Sequence, residues 1–176
     1  GDVEYQEGLM LSVAVDFSVE LVASQLQDPI ITITSIDMDA SVSISVEDLD
    51  LKKDLVGNDL PKWALFPVGI AWALKQAGKS ISGIQAIYLS KIPQGMELSY
   101  SSAVEVAFAS LWKVIGGWEA DSTAVARLCQ TSNNQYVGIP GGLTSYLTIL
   151  NCIEDHILCI DTRKLQWEFE PMLPES

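Results

Sequence analysis

Positive charge, histidine and paired cysteines are all scarce in this chain. Ten Lys and Arg stand against 23 Asp and Glu, a net charge of −13 over 176 residues. A surface this acidic repels phosphate backbones and anionic lipid, so neither nucleic acid nor a membrane is an expected partner. The acidity serves solubility or, alternatively, forms a docking face for a basic protein partner. It is densest from Asp37 to Asp54, with Asp39, Glu47, Asp48 and Asp50 between, which suggests the wet face of edge strands. The one histidine, His156, adjoins Glu154 and Asp155 and reads as a solvated turn between strands rather than a metal site. Cys129, Cys152 and Cys159 show no CxxC spacing. Reduced, buried and structural is the expectation, which favours the cytoplasm. No apolar run approaches the ~20 residues of a bilayer span, and the acidic start, Gly1-Asp2-Val3-Glu4, does not resemble a signal peptide.

What is present suits one globular domain over 1–176. Hydrophobic residues make up 48% and mean hydropathy is +0.24, enough for a proper core. Leu9 to Val15, Phe17 to Ala23, Ile30 to Thr34 and Ala40 to Val46 read as strands in an antiparallel meander. Pro61 to Gln76 reads as a helix ended by Gly78, with Pro67 kinking it or marking a later start. Ile84 to Ile92 is the next strand. The run Ser101 to Ile115 is apolar on every side, a buried helix ended by Gly116-Gly117. Asp121-Ser122 caps a helix over Thr123 to Thr131. An irregular loop follows at 133–142, then Leu143 to Leu150 and His156 to Asp161 as two final strands. The order implies an α+β layered domain.

The segment from Pro93 to Ala107, P-Q-G-M-E-L-S-Y-S-S-A-V-E-V-A, lies between a strand and a helix start. That arrangement commonly holds an anion, because free N–H groups and the helix dipole converge there. Two further blocks accompany it. One is Glu4 to Asp16, E-Y-Q-E-G-L-M-L-S-V-A-V-D; the other is Asn133 to Ser145, N-N-Q-Y-V-G-I-P-G-G-L-T-S. Together they resemble, in order, three motifs of the amino-terminal half of galactokinase, a member of the GHMP small-molecule kinases: D-Y-N-G-G-x-V-L-P-x-A-I-D, P-x-G-x-G-L-S-S-S-A-A-x-E-V-A and E-N-x-F-V-G-x-P-C-G-x-M-D. Trp63, Gly69 and Trp72-Ala73-Leu74 also fit the helix before the second motif, and Ile160 to Arg163 the strand after the third.

The resemblance implies a GHMP-kinase amino-terminal domain, a mixed or antiparallel sheet with helices packed on one face. It places nucleotide contacts at Pro93, Gly95, Glu97, Leu98, Ser99, Ser101 and Ser102, sugar contacts at Glu4, Tyr5 and Gly142, and Mg²⁺ ligands at Ser101 and Asn133. Ser145 falls at the catalytic aspartate. The family's catalytic arginine lies before the first motif, where this chain has not yet begun, and the carboxyl-terminal lobe is expected to be absent.

Four parts of that machinery depart from the pattern. Glu97 replaces a phosphate-wrapping glycine; a carboxylate ~4 Å from a phosphate oxygen costs about 4 kcal/mol at an effective dielectric near 20, close to a thousandfold in affinity. Asn133 offers a neutral amide where Mg²⁺ prefers anionic oxygens. Ser145 cannot act as a base, a loss typically worth ~10²–10⁴ in rate. The arginine is missing, and Tyr100 adds bulk where the family has a small serine. Each of these residues can instead serve the fold: a strand-to-helix turn, an early-helix serine, a helix-ending asparagine, a residue at a strand start, an exposed acid, a turn glycine. The expectation is a catalytically silent galactokinase-like domain, not an enzyme, with a binding or structural role toward a protein or a monosaccharide and no cofactor. The alternative is an active or variant kinase that uses ATP and Mg²⁺ to phosphorylate a monosaccharide anomeric hydroxyl.

Overall fold

The computed structural model describes residues 8–93, 96 and 98–172. Its larger sheet contains β2 (Val19–Leu26), β3 (Ile30–Ser35), β4 (Ala40–Ser45) and β5 (Gly83–Ser90), in the order β2-β5-β3-β4. β5 inserts between β2 and β3, antiparallel to the first and parallel to the second. The expected meander is therefore wrong; among these strands only β3 and β4 form a consecutive antiparallel pair. Insertion requires Gly83, because a Cβ there would lie 1.8 Å from Asp28 O. One face of the sheet is apolar: Ile31, Ile33, Ile44, Ile84, Ala86 and Tyr88 are buried. The opposite face carries hydroxyls, with Thr32 paired to Ser43 and Thr34 to Ser41, and it leaves Val22 exposed.

The helices cover the apolar face. α1 (Lys62–Gln76) and α2 (Tyr100–Gly116) pack together, and α3 (Ser122–Thr131) packs on both. α1 runs through Pro67, which is buried in its second turn. A ring that lacks an N–H costs least near a helix start. α3 is capped by Asp121, whose carboxylate accepts from Ala124 N at 2.7 Å, and continues directly into a π-type turn, Ser132–Val137. The predicted irregular loop thus starts later, at Gly138.

A correction with functional weight concerns 143–150, expected to be a strand. Thr144–Asn151 is a helix, α4. Its β-branched Thr and Ile invite a strand reading. Yet Thr148 Oγ1 lies 2.7 Å from Thr144 O and Asn151 Nδ2 donates to Leu147 O at 2.8 Å, bonds available only at helical spacing. The turn around Asp155 therefore joins a helix, not a strand, to β6 (His156–Asp161). β6 is the centre of a second sheet, β1-β6-β7, with β1 at Leu9–Ser12 and an unforeseen β7 at Gln166–Pro171.

The acidic residues of 37–54 lie in turns rather than on an edge strand. Asp37 and Asp39 lie between β3 and β4; Glu47, Asp48, Asp50 and Asp54 follow β4. Several have defined work. Asp37 accepts from Ser90 N at 2.7 Å, and Asp50 accepts from Trp72 Nε1 at 2.6 Å. Cys129 is buried, while Cys152 and Cys159 are half-buried; all three are free thiols. No helix among the described residues is long and apolar enough to cross a membrane.

Candidate functional site

A cleft of about 530 Å³ opens where four segments meet. The connector between β1 and β2 supplies Val13, Val15 and Phe17. The loop before α2 supplies Leu98 and Ser99, α2 supplies Ala103 and Val106, and α4 supplies Thr144, Ser145 and Thr148. Among the described residues the wall is made of apolar side chains and small hydroxyls, with no ionisable group. Such a wall favours a neutral ligand, since an anion or cation would enter without a counter-charge.

Three of the sequence-derived positions, Leu98, Ser99 and Ser145, meet at this cleft. Ser99 Oγ donates to Ser145 Oγ at 3.2 Å. Ser99 reaches it from a left-handed backbone, φ +56°, at the position just before α2. A non-glycine residue there costs roughly 1–2 kcal/mol, and such outliers concentrate where function or packing holds them. On the other wall, Thr148 Oγ1 lies 2.8 Å from Ser12 Oγ, tying α4 to β1.

Other predicted positions stand apart. Pro93 and Gly142 are half-buried and do not line the cleft, nor does Ser101. Ser102 is buried on α2 and bonds Tyr146. Asn133 is 7% exposed. Its Nδ2 donates to Ile139 O at 2.7 Å, and its buried Oδ1 has no partner among the described residues. Asn134 and Gln130 hold the same loop through Gly141: Asn134 Oδ1 accepts from Gly141 N at 2.8 Å, and Gln130 Nε2 donates to Gly141 O at 3.0 Å. Glu4, Tyr5, Gly95 and Glu97 lie outside the described residues.

The donor set does not fit a Mg²⁺–nucleotide centre. It comprises a neutral amide oxygen and a serine hydroxyl, whereas Mg²⁺ in such centres is held by one or two carboxylates and the substrate phosphates. Among the described residues no group of three or more His, Cys, Asp or Glu is placed to hold a metal.

The sequence reading missed two parts of the site. Val13, Val15 and Phe17 looked like ordinary strand residues, but β1 ends at Ser12 and they turn toward the cleft. Thr148 was missed because α4 was read as a strand. The hydroxyls at Thr144 and Thr148, four apart, were the available signal of a helical face.

Residues 66–150 match the family of GHMP kinases N terminal domains. The chain is 33% identical over 168 residues to galactokinase from Streptomyces coelicolor, an alignment that takes in 92% of this chain and 41% of the relative. It is 28% identical over 171 residues to galactokinase from Roseiflexus, covering 97% and 42%. It thus spans about two-fifths of the length of the curated relatives it matches. In structure it superposes on Lactococcus lactis galactokinase complexed with galactose, with a TM-score of 0.86 at 17% identity over 96% of this chain and 43% of that one. A mevalonate kinase superposes with a TM-score of 0.69 at 16% identity, covering 94% and 50%. At those identities the superpositions speak to fold alone. Residues 66–150 thus match the GHMP-kinase amino-terminal domain, and over most of its length the chain is galactokinase-like in sequence.

Proposed function

We propose that this chain is a catalytically silent, galactokinase-like domain that binds a neutral monosaccharide and does not transfer a phosphoryl group. The observation that carries the reading is the Ser99–Ser145 contact at 3.2 Å in a cleft whose described lining holds no ionisable side chain. By the resemblance Ser145, neutral at pH 7, stands where transfer to a sugar calls for a carboxylate, and losing a general base alone costs ~10²–10⁴ in rate. The buried amide of Asn133 supports the same conclusion, since it spends its N–H on Ile139 O and brings no charge to a metal. The galactose in the Lactococcus relative suggests the class of sugar to try first.

A second reading, an active or variant ATP-dependent sugar kinase, draws on the 33% identity to the Streptomyces enzyme and on the retained Ser101. One experiment separates them. The chain is supplied with galactose, ATP and Mg²⁺, and ADP release is followed beside a calorimetric titration of galactose alone. The expected result is saturable sugar binding with no sugar-dependent ADP. Turnover above background that Ser101→Ala abolishes would establish the kinase reading instead.

A further inference from the structure

Glu105 lies in the middle of α2 and is fully buried. Its Oε2 accepts a hydrogen bond from the Tyr146 hydroxyl at 2.8 Å, and its Oε1 accepts from Ser132 Oγ at 3.3 Å. One carboxyl on α2 therefore grips α4 and the π-type turn together. Tyr146 directly follows Ser145, and Ser99 directly precedes α2. The contacts close a ring: α2, Glu105, Tyr146, Ser145, Ser99 and α2 again. Burying a carboxyl is a costly way to join helices that apolar side chains could join more cheaply.

We propose that Glu105 is a positioning residue for the cleft: acting through Tyr146, its carboxyl sets where α4 presents Ser145 to Ser99. The inference rests on the cleft being the working site, but its test uses no ligand, so it can fail independently of the functional reading.

The surroundings define the form that does this. Tyr146 faces Glu105 from α4 and the π-type turn contributes Ser132, while on α3 the Cys129 thiol is pushed up by burial and by Glu105. α1 contributes Gly69, against Ser132, and apolar side chains. No lysine, arginine or histidine perturbs the carboxyl. Burial raises its pKa to about 8, and the two hydroxyl donors offset this only in part. At neutral pH the neutral acid therefore holds α4. Above pH 8 an anion forms with no facing cation, and α4 loosens first, because it is eight residues long.

The test is amide hydrogen exchange, by mass spectrometry, on the wild type, Tyr146→Phe and Glu105→Gln. Tyr146→Phe keeps the ring and removes only the hydroxyl, so the fold is expected to survive. Glutamine imitates the neutral acid. At pH 7, exchange in α4 is expected to rise about tenfold in Tyr146→Phe, with α3 and β5 unchanged and Glu105→Gln close to wild type. Corrected for intrinsic rate, wild-type α4 exchange is expected to rise between pH 7 and 9 while Glu105→Gln stays flat. The proposal is overturned by unchanged α4 exchange in Tyr146→Phe, by a rise spread evenly over the chain, or by the same pH response in Glu105→Gln.

Discussion

Ser99 and Ser145, 46 positions apart, share a hydrogen bond of 3.2 Å, and the backbone that makes it possible is left-handed at Ser99, φ +56°. That conformation reverses the usual ranking of small residues. In a helix alanine outranks glycine, but at a positive φ glycine carries no Cβ penalty. Both Ser99→Gly and Ser99→Ala lose the hydroxyl. Chemical denaturation is expected to find the alanine variant less stable than the glycine variant by about 1 kcal/mol. Equal stabilities, or alanine ahead, would show that the left-handed geometry is not held.

Glu105 predicts a specific pH dependence. Its folded-state pKa is raised from 4.5 to about 8. A raised acid favours folding below its unfolded pKa, and that contribution is lost as pH climbs from 4.5 through about 8. Glu105→Gln has no such linkage. The stability of the glutamine variant relative to wild type is therefore expected to grow across that window by roughly 3–5 kcal/mol. Urea titrations at pH 5, 7 and 8.5 measure it; a constant difference would refute the shift.

Two glycines are confined for different reasons. A Cβ on Gly83 would meet backbone, Asp28 O at 1.8 Å and Ile30 O at 2.8 Å, where β5 enters the sheet. Gly83→Ala is expected to fail to fold or to lose at least about 3 kcal/mol. A Cβ on Gly69 would lie 2.4 Å from Ser132 Oγ and 3.0 Å from Tyr136 Cδ1. The serine cannot simply rotate away, because it donates to Glu105. Gly69→Ala is expected to cost about 1–3 kcal/mol, visible as a lower melting temperature.

Tyr136 is buried, and its hydroxyl donates to Leu49 O at 2.7 Å. Trp72 packs on its ring at 5.4 Å and the Lys52 ammonium lies 4.8 Å from the ring centre. Tyr136→Phe keeps the ring contacts and leaves Leu49 O with the Lys52 N–H, at 3.2 Å, as its donor. The expected loss is about 1 kcal/mol, one net hydrogen bond, and a silent substitution in thermal unfolding would mean that the Lys52 N–H alone satisfies Leu49 O.

Ser145→Asp addresses the cleft directly. The new carboxylate faces Ser99 and apolar groups, with no cation among the described residues that line the cleft. It is expected to lower stability at pH 7, and the loss is expected to shrink toward pH 4 as the carboxylate takes up a proton. By itself it creates no sugar-dependent ADP release, because Asn133 is still an amide. ADP release from this single variant would mean that one carboxylate suffices.

The helices α1 to α3 were readable because their signals are local: Pro61 and Gly78 bracket one, Gly117 ends the next, and Asp121 caps the third. α4 was not readable. Thr, Tyr and Ile are favoured in strands, and eight residues are too few for a helical period to assert itself. The acidic run after Asp37 was misplaced for a related reason: its alternation with apolar residues has the strand period, but bonds to Ser90 and Trp72 hold its residues in turns. The family likeness carried through to the match over 66–150.

The amino-acid sequence alone determined the chemistry available: a strongly acidic chain, three collinear motifs, and serine and asparagine where carboxylates are called for. Those are properties of residue type and order, and no fold can change them. Tertiary structure decided which residues share a site. Hydrophobic burial inserts β5 beside β3, and packing coils 144–151 into a helix, which puts Ser145 against Ser99 and Tyr146 against Glu105. Contacts across 46 and 41 positions depend on how layers stack, and no local periodicity encodes that.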